Sequence, residues 1–143
     1  MEKLHAWQPV TFIKGRNNGD LGFMNVSGRI DHFKISFTDL MNSTIDVIYD
    51  QTDGLIGYSV WSYRYSTEYG RFDLLSKEMD RSGIQDPNAL YFYKVTNSDY
   101  IKWFDMNPLI NGQTNPELEH HLYLNGNDII EVLSEYEPRF VKR

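Results

Sequence analysis

The sequence contains no cysteine among its 143 residues. A disulfide framework and a thiolate metal site are therefore both excluded, because each needs that side chain. No window approaches the roughly 18 apolar residues that a membrane-spanning helix needs. The first residues, Met1 to Trp7, also lack the charged start and apolar run of a signal peptide. We therefore expect a cytoplasmic protein that does not associate with membranes.

Motifs that identify a catalytic or cofactor-binding family are missing as well. The sequence has no HExxH, P-loop, GxSxG or GxGxxG pattern, and its four histidines are not spaced as metal ligands. It therefore predicts no catalytic residue, no metal site and no cofactor. An enzyme whose site is assembled from distant residues remains an alternative. Its best candidates are Glu119 and His121, which share one face of a predicted strand.

The composition is that of a globular protein, with 41% hydrophobic and 24% charged residues. The length suits one domain, which we assign to residues 1–143. Aromatic residues make up 15% of the chain, and tyrosine is the most frequent of them. Rings of this kind are typical of strands that are half buried with the hydroxyl in water.

The first half of the chain predicts a β-meander, because short β-branched and aromatic runs alternate with turn residues. Asn18-Gly19 is the strongest hairpin signal, since a type I′ turn needs positive φ at both central residues. The predicted strands are 9–14, 21–26, 30–37, 45–49 and 55–65, with turns at 17–20, 27–28 and 53–54. The last turn would pair 45–49 with 55–65 as a hairpin.

The second half predicts three short helices between strands at 90–96 and 120–124. Helical spacing marks 72–79, a capping sequence precedes Asp99, and Asp128 with Glu131 fits the capping-box spacing before a helix that ends at Pro138. The fold class is therefore α+β, a mostly antiparallel twisted sheet with about three helices on one face. The pattern leaves open whether the sheet is open, a sandwich or a barrel.

Negative charge is concentrated in one segment. The net charge is −6, yet residues 97–137 carry eight acids against one base, Lys102, which gives −7 there and +1 elsewhere. Such a field repels phosphate backbones and attracts basic proteins, so we expect no nucleic-acid partner. The alternative is a solvated acidic face that only aids solubility. The predicted partner-binding residues are Glu117, Glu119, Asp128, Glu131, Glu135 and Glu137.

An aromatic ladder is the most pointed local pattern. Trp61, Tyr63 and Tyr65 alternate along a predicted strand and would line one face of it. Exposed rings in a row could bind a carbohydrate or another small ligand. The same rings could instead cover helices packed on that face, or form cross-strand pairs with Tyr91 and Tyr93.

The leading functional hypothesis is a non-enzymatic protein-binding domain that uses its acidic C-terminal half against a basic partner. Immunity or inhibitor proteins that neutralise nuclease-like toxins are small acidic proteins of this type, because carboxylates can occupy the positions of substrate phosphates. The small-ligand module and the dispersed enzyme site are the two alternatives. Oligomeric state and partner identity are not predicted.

Overall fold

A computed structural model describes residues 1–13, 21–29, 31–39, 43–52, 58–109, 113–125 and 127–143. These residues form ten strands and two short helical segments. The strands are β1 (Lys3–Trp7), β2 (Leu21–Arg29), β3 (His32–Asp39), β4 (Thr44–Tyr49), β5 (Ser62–Thr67), β6 (Glu78–Asp80), β7 (Phe92–Thr96), β8 (Glu119–Asn125), β9 (Asp128–Ser134) and β10 (Arg139–Lys142). The helical segments are a 3₁₀ helix (Tyr69–Ser76) and α1 (Asp99–Phe104).

The strands belong to two sheets. One has six strands in the order β5-β9-β8-β7-β1-β6, and the other has four in the order β10-β4-β3-β2. All pairs are antiparallel except β1 with β6. The prediction of a mostly antiparallel β-rich fold with few helices is therefore confirmed at that level.

The main core lies between the two sheets. Phe37 and Val47 of the smaller sheet pack there with Phe92, Tyr123 and Val132 of the larger one, all nearly inaccessible to solvent. Burying large side chains of this kind contributes about 1.5–3 kcal/mol each. Because side chains alternate along a strand, the six-stranded sheet also has apolar side chains on its other face, and these must pack against a further layer.

The two helical segments cover that outer face. Leu74 of the 3₁₀ helix packs against a cluster that includes Leu4 and Tyr93, and Tyr100 and Phe104 of α1 pack with Leu133. The predicted cap of α1 is confirmed, since the Ser98 hydroxyl accepts a hydrogen bond from the Ile101 N–H at 3.0 Å. In the described part of the chain, no helix is long and apolar enough to cross a membrane.

The third predicted helix is wrong, because Asp128–Ser134 is the strand β9. This strand lies between β5 and β8, with helices on one side and the second sheet on the other, so both of its faces are buried. A strand buried on both faces reads as a nearly continuous apolar run and loses its period-2 pattern. Ile129, Ile130 and Val132 are β-branched, which favours the strand.

Other predicted elements shift or change partner. The strand at 9–14 is absent from the described residues 9–13, and the first strand is β1 instead. The predicted helix at 72–79 is a 3₁₀ segment that ends before Met79, which lies in β6. The hairpin of 45–49 with 55–65 is also wrong, because β4 pairs with β3 and β10 while β5 pairs with β9. The turns at 17–20 and 53–54 lie outside the described residues.

The predicted turn at Ser27-Gly28 is a strand position with unusual geometry. β2 continues to Arg29, and Gly28 pairs with Phe33 of β3. Its φ is +133°, and a Cβ there would lie 2.0 Å from the His32 carbonyl oxygen. Only glycine fits this position without strain. Gly28 is therefore required by a positive φ within β2, and the turn predicted from it is wrong.

Candidate functional site

Glu131 is not at the surface. Its side chain is 0% exposed on β9, although the sequence predicted a partner-binding residue there. Arg64 donates to both carboxylate oxygens, and Arg71 and His120 also donate to this carboxylate. Burial alone would raise the pKa of Glu131, but these hydrogen bonds outweigh burial and lower it. Glu131 is therefore an internal counter-ion between the sheet and the helical layer.

Four of the other predicted acids gather where β8 begins and β9 ends. Lys94 binds both Glu119, at 3.4 Å, and Glu137, at 2.5 Å, which places these two carboxylates side by side. Asn115 donates to Glu135 at 2.8 Å and begins the turn that contains the exposed Glu117. We call Glu117, Glu119, Glu135 and Glu137 the acidic end. Among the described residues, Lys94 is the cation paired with this group, and the four acids together with Lys94 carry a net charge of −3.

Asp128 lies away from the acidic end. It pairs with Asn125 where the β8–β9 hairpin turns, whereas Glu119 pairs with Ser134 at the opposite end of the hairpin. Ser134 lies six residues further along β9 than Asp128, which corresponds to about 20 Å. Its carboxylate accepts a hydrogen bond from the Tyr65 hydroxyl at 2.5 Å. The six predicted residues therefore divide into a group of four, a buried residue and a distant one.

Exposed apolar side chains border the acidic end. Glu135 accepts a hydrogen bond from the indole N–H of Trp61 at 3.0 Å, and the Trp61 ring contacts Phe104 at the end of α1. Beside Phe104, Trp103 is 57% exposed and Met106 is 73% exposed. We call Tyr58, Trp103 and Met106 the apolar margin. Aromatic residues and methionine are enriched in protein interfaces relative to the rest of a protein surface.

His121 is enclosed, as are Tyr49 and Tyr123. Its Nε2–H donates to Glu119 at 3.1 Å, so its Nδ1 accepts from the Tyr49 hydroxyl at 2.6 Å. Tyr49 in turn accepts from the Tyr123 hydroxyl at 2.5 Å, which links the two sheets through a chain of hydrogen bonds. Burial lowers the pKa of His121, whereas the hydrogen bond from His121 lowers that of Glu119.

The His121 imidazole is closed to solvent. It is 0% exposed, and among the five described cavities only Glu119 of this chain lines one, a cavity that does not reach His121. Glu119 and His121 do interact, as the sequence predicted for residues on one strand face. Their arrangement is that of a satisfied buried imidazole with its carboxylate at the surface. The geometry thus gives no support to a catalytic role for His121.

A second chain of hydrogen bonds, through His120, was not predicted from the sequence. The Ser98 hydroxyl and His120 Nδ1 are 2.7 Å apart, and His120 Nε2 lies 2.9 Å from Glu131. This is the order of groups in a serine hydrolase triad. However, Ser98 is buried and caps α1, and Glu131 is already bound by two arginines. The chain therefore joins α1 to the sheet, and its parts are too far apart in sequence to be recognised as one unit.

The aromatic ladder divides between two sides of the structure. Tyr63 lies against Phe33 of the second sheet, with ring centroids 4.7 Å apart. Trp61 precedes the first residue of β5 and packs against Tyr58 and Phe104. No ring contact in the described residues joins Trp61, Tyr63 and Tyr65 with one another. Tyr63 and Tyr65 are more than half exposed, and β5 does not pair with the strand of Tyr93.

The six acids, the rings and the two histidine chains thus have defined positions. No family model, curated protein or solved structure matches this chain. A function has to be argued from the geometry and charge of the described residues. The acidic end with its apolar margin combines exposed carboxylates with exposed large apolar side chains.

Proposed function

We propose that this chain is a non-enzymatic protein-binding domain that docks a basic protein on its acidic end and apolar margin. The observation that carries this proposal is the contact series Glu135–Trp61–Phe104. It links Glu135 of the acidic end to the end of α1, where Trp103 and Met106 are exposed. A purely solvated acidic face needs no large apolar residues next to it, whereas an interface core does.

Each part of this surface has a distinct role in binding. Exposed carboxylates such as Glu117 and Glu137 raise the association rate of a basic partner, and this effect weakens as salt screens them. Trp103 and Met106 supply apolar area that a partner removes from water. Glu119 and Glu135 are held by hydrogen bonds, so they present their charge in a fixed position.

The partner class that fits best is a nuclease-type toxin, which would make the chain an immunity or inhibitor protein. The active surface of a nuclease is basic because it binds phosphates. Carboxylates held in place at the acidic end could occupy the positions of those phosphates. This finer identification rests on charge complementarity and on the small, acidic nature of the chain.

The test is a comparison of two double charge reversals. Glu117→Lys with Glu137→Lys changes the acidic end by four charge units. Glu68→Lys with Glu78→Lys makes the same change at two exposed acids elsewhere on the surface. The wild-type chain captures a partner from an extract of its host, and the purified partner is then titrated against all three proteins at several salt concentrations.

The proposal predicts a basic partner, a dissociation constant that rises steeply with salt, and binding at least tenfold weaker for the acidic-end variant only. Inhibition of a nuclease activity of that partner by the chain would support the toxin class. Equal effects of the two variants would contradict the proposal. A partner whose binding does not depend on salt would contradict it as well.

A further inference from the structure

Along one side of the molecule, no strand pairing joins the two sheets in the described part of the chain. β2 is the last strand of the smaller sheet and β5 the last of the larger one, and each pairs with a single neighbour in the described structure. Between them lie two adjoining cavities of about 470 Å³ and 300 Å³ that share Val26 and Tyr63. We call this space the edge cleft.

The edge cleft has the size and lining of a small-molecule site. Its larger cavity alone lies within the roughly 300–1,000 Å³ range of ligand pockets. Its floor includes Val60 and Ile130, which are buried, and its wall is formed by the tilted rings of Phe33 and Tyr63. Tyr63 is 52% exposed, although it lies on the strand face that points to the second sheet. A planar ring inserted there would cover it.

Charge identifies the kind of ligand. Arg29 is the single charged residue among the described residues that border the edge cleft. Its side chain is 78% exposed, and its Nε donates to Asp31 at 2.6 Å. The two terminal nitrogens make no hydrogen bond to a described residue, so they can still bind a carboxylate or phosphate in a bidentate manner. A cationic group at the border of an apolar cleft that has no other charged lining residue in the described structure favours an anion over a cation.

We infer that the edge cleft binds a planar aromatic anion, with its ring against Phe33 and Tyr63 and its acidic group on Arg29. None of Arg29, Phe33 and Tyr63 belongs to the acidic end, although Trp61, which donates to Glu135, also borders the larger cavity. Tyr65 borders the other cavity of the cleft and its hydroxyl binds the Asp128 carboxylate behind it, whose charge would repel a second negative group there. The ligand is therefore expected to carry its charge at one end only.

The experiment uses three naphthalene probes with the full-length chain. 2-Naphthoate carries the anion, 2-naphthalenemethanol is the neutral analogue and 2-naphthylmethylamine is the cation. Binding is measured by calorimetry for the wild type, Arg29→Gln and the matched exposed-arginine control Arg81→Gln. Arg29 is largely exposed, so its variant is expected to fold, and circular dichroism verifies this.

The inference predicts that the wild type binds 2-naphthoate more tightly than either analogue. Arg29→Gln should weaken naphthoate binding about tenfold and leave the neutral probe unchanged, because one charge-assisted contact is lost. Tyr63→Ala should weaken both probes, whereas Tyr69→Ala, at another exposed ring, should weaken neither. No binding to the wild type, or equal losses for Arg29→Gln and Arg81→Gln, would overturn it. Preferential binding of cellobiose would overturn it too.

Discussion

Arg64 and Glu131 are directly opposite residues of β5 and β9, and the guanidinium binds the carboxylate through two hydrogen bonds of 2.8 and 3.1 Å. The Arg64 guanidinium also lies 4.1 Å from the Tyr100 ring centre, so this pair connects the sheet to α1. A buried carboxylate with three cationic or N–H partners is costly to disturb, because each partner loses its acceptor.

Replacement of Glu131 by Gln should lower the free energy of unfolding by about 3–5 kcal/mol, since Arg64 and Arg71 would be left beside a neutral amide. Urea unfolding followed by tryptophan fluorescence measures this. Glu117→Gln, at an exposed acid, is the matched control and should change stability by no more than about 0.5 kcal/mol. Equal effects of the two substitutions would contradict the buried position of Glu131.

The lowered pKa of His121 predicts a stability loss in mild acid. The folded protein keeps this imidazole neutral, whereas the unfolded chain takes up a proton below the ordinary value of 6.5. Stability is thus fully present above that pH and decreases as the pH falls through it toward the folded pKa. The unfolding free energy measured from pH 7.5 to 5.5 should fall for the wild type. It should fall less for His121→Gln, and equal slopes would contradict this.

Tyr49 and Tyr123 should resist ionisation. Burial raises the pKa of both hydroxyls, so the folded state holds them neutral and loses stability as the pH rises above the ordinary value of 10. In an absorbance titration at 295 nm, which follows tyrosinate formation, a phase at high pH should coincide with the loss of near-ultraviolet circular dichroism that marks unfolding. Tyr123→Phe should reduce that phase, whereas the matched control Tyr69→Phe, at an exposed ring, should leave it unchanged. A single titration in the folded protein would argue against the enclosed pair.

Ser98 should behave as a cap and not as a nucleophile. Ser98→Ala removes the cap of α1 and leaves His120 Nδ1 without its donor, which should cost about 1–3 kcal/mol. Ser76→Ala, at an exposed serine, should cost less than about 1 kcal/mol. A fluorophosphonate reagent should leave Ser98 unmodified. Rapid labelling of Ser98, prevented in Ser98→Ala, would show that the Ser98–His120–Glu131 chain is a working triad.

The sequence predicted elements well where local signals and burial agreed. β4, β8 and the Ser98-capped α1 have clear local patterns and appear close to the expected positions. The prediction for β9 was wrong because its local pattern is ambiguous. Both of its faces are buried, and the spacing of its apolar residues also fits a helix. Strand pairings such as β5 with β9 join residues more than sixty positions apart, which no local pattern encodes.

The mistaken helix at Asp128–Ser134 also explains why part of the predicted partner-binding site was wrong. On a helix, Glu131 and Glu135 would share an exposed face, whereas on β9 the first is buried and the second lies just beyond the strand. The excess of acids in residues 97–137 is evident from the sequence. The position of each carboxylate on the folded surface depends on the residues that pack against it, which the sequence does not show. The Lys94 pairing with Glu119 and Glu137 and the contact of Trp61 with Glu135 are tertiary and left no sequence signal.

The most direct test of the docking surface is a map of amide chemical-shift changes on a ¹⁵N-labelled chain titrated with its basic partner. The account predicts that the changes centre on residues 103–106, 115–119 and 135–137, at the acidic end and its apolar margin. Changes centred on the edge cleft at 24–29 and 62–65, or on Asp128 at the far end of the hairpin, would contradict it.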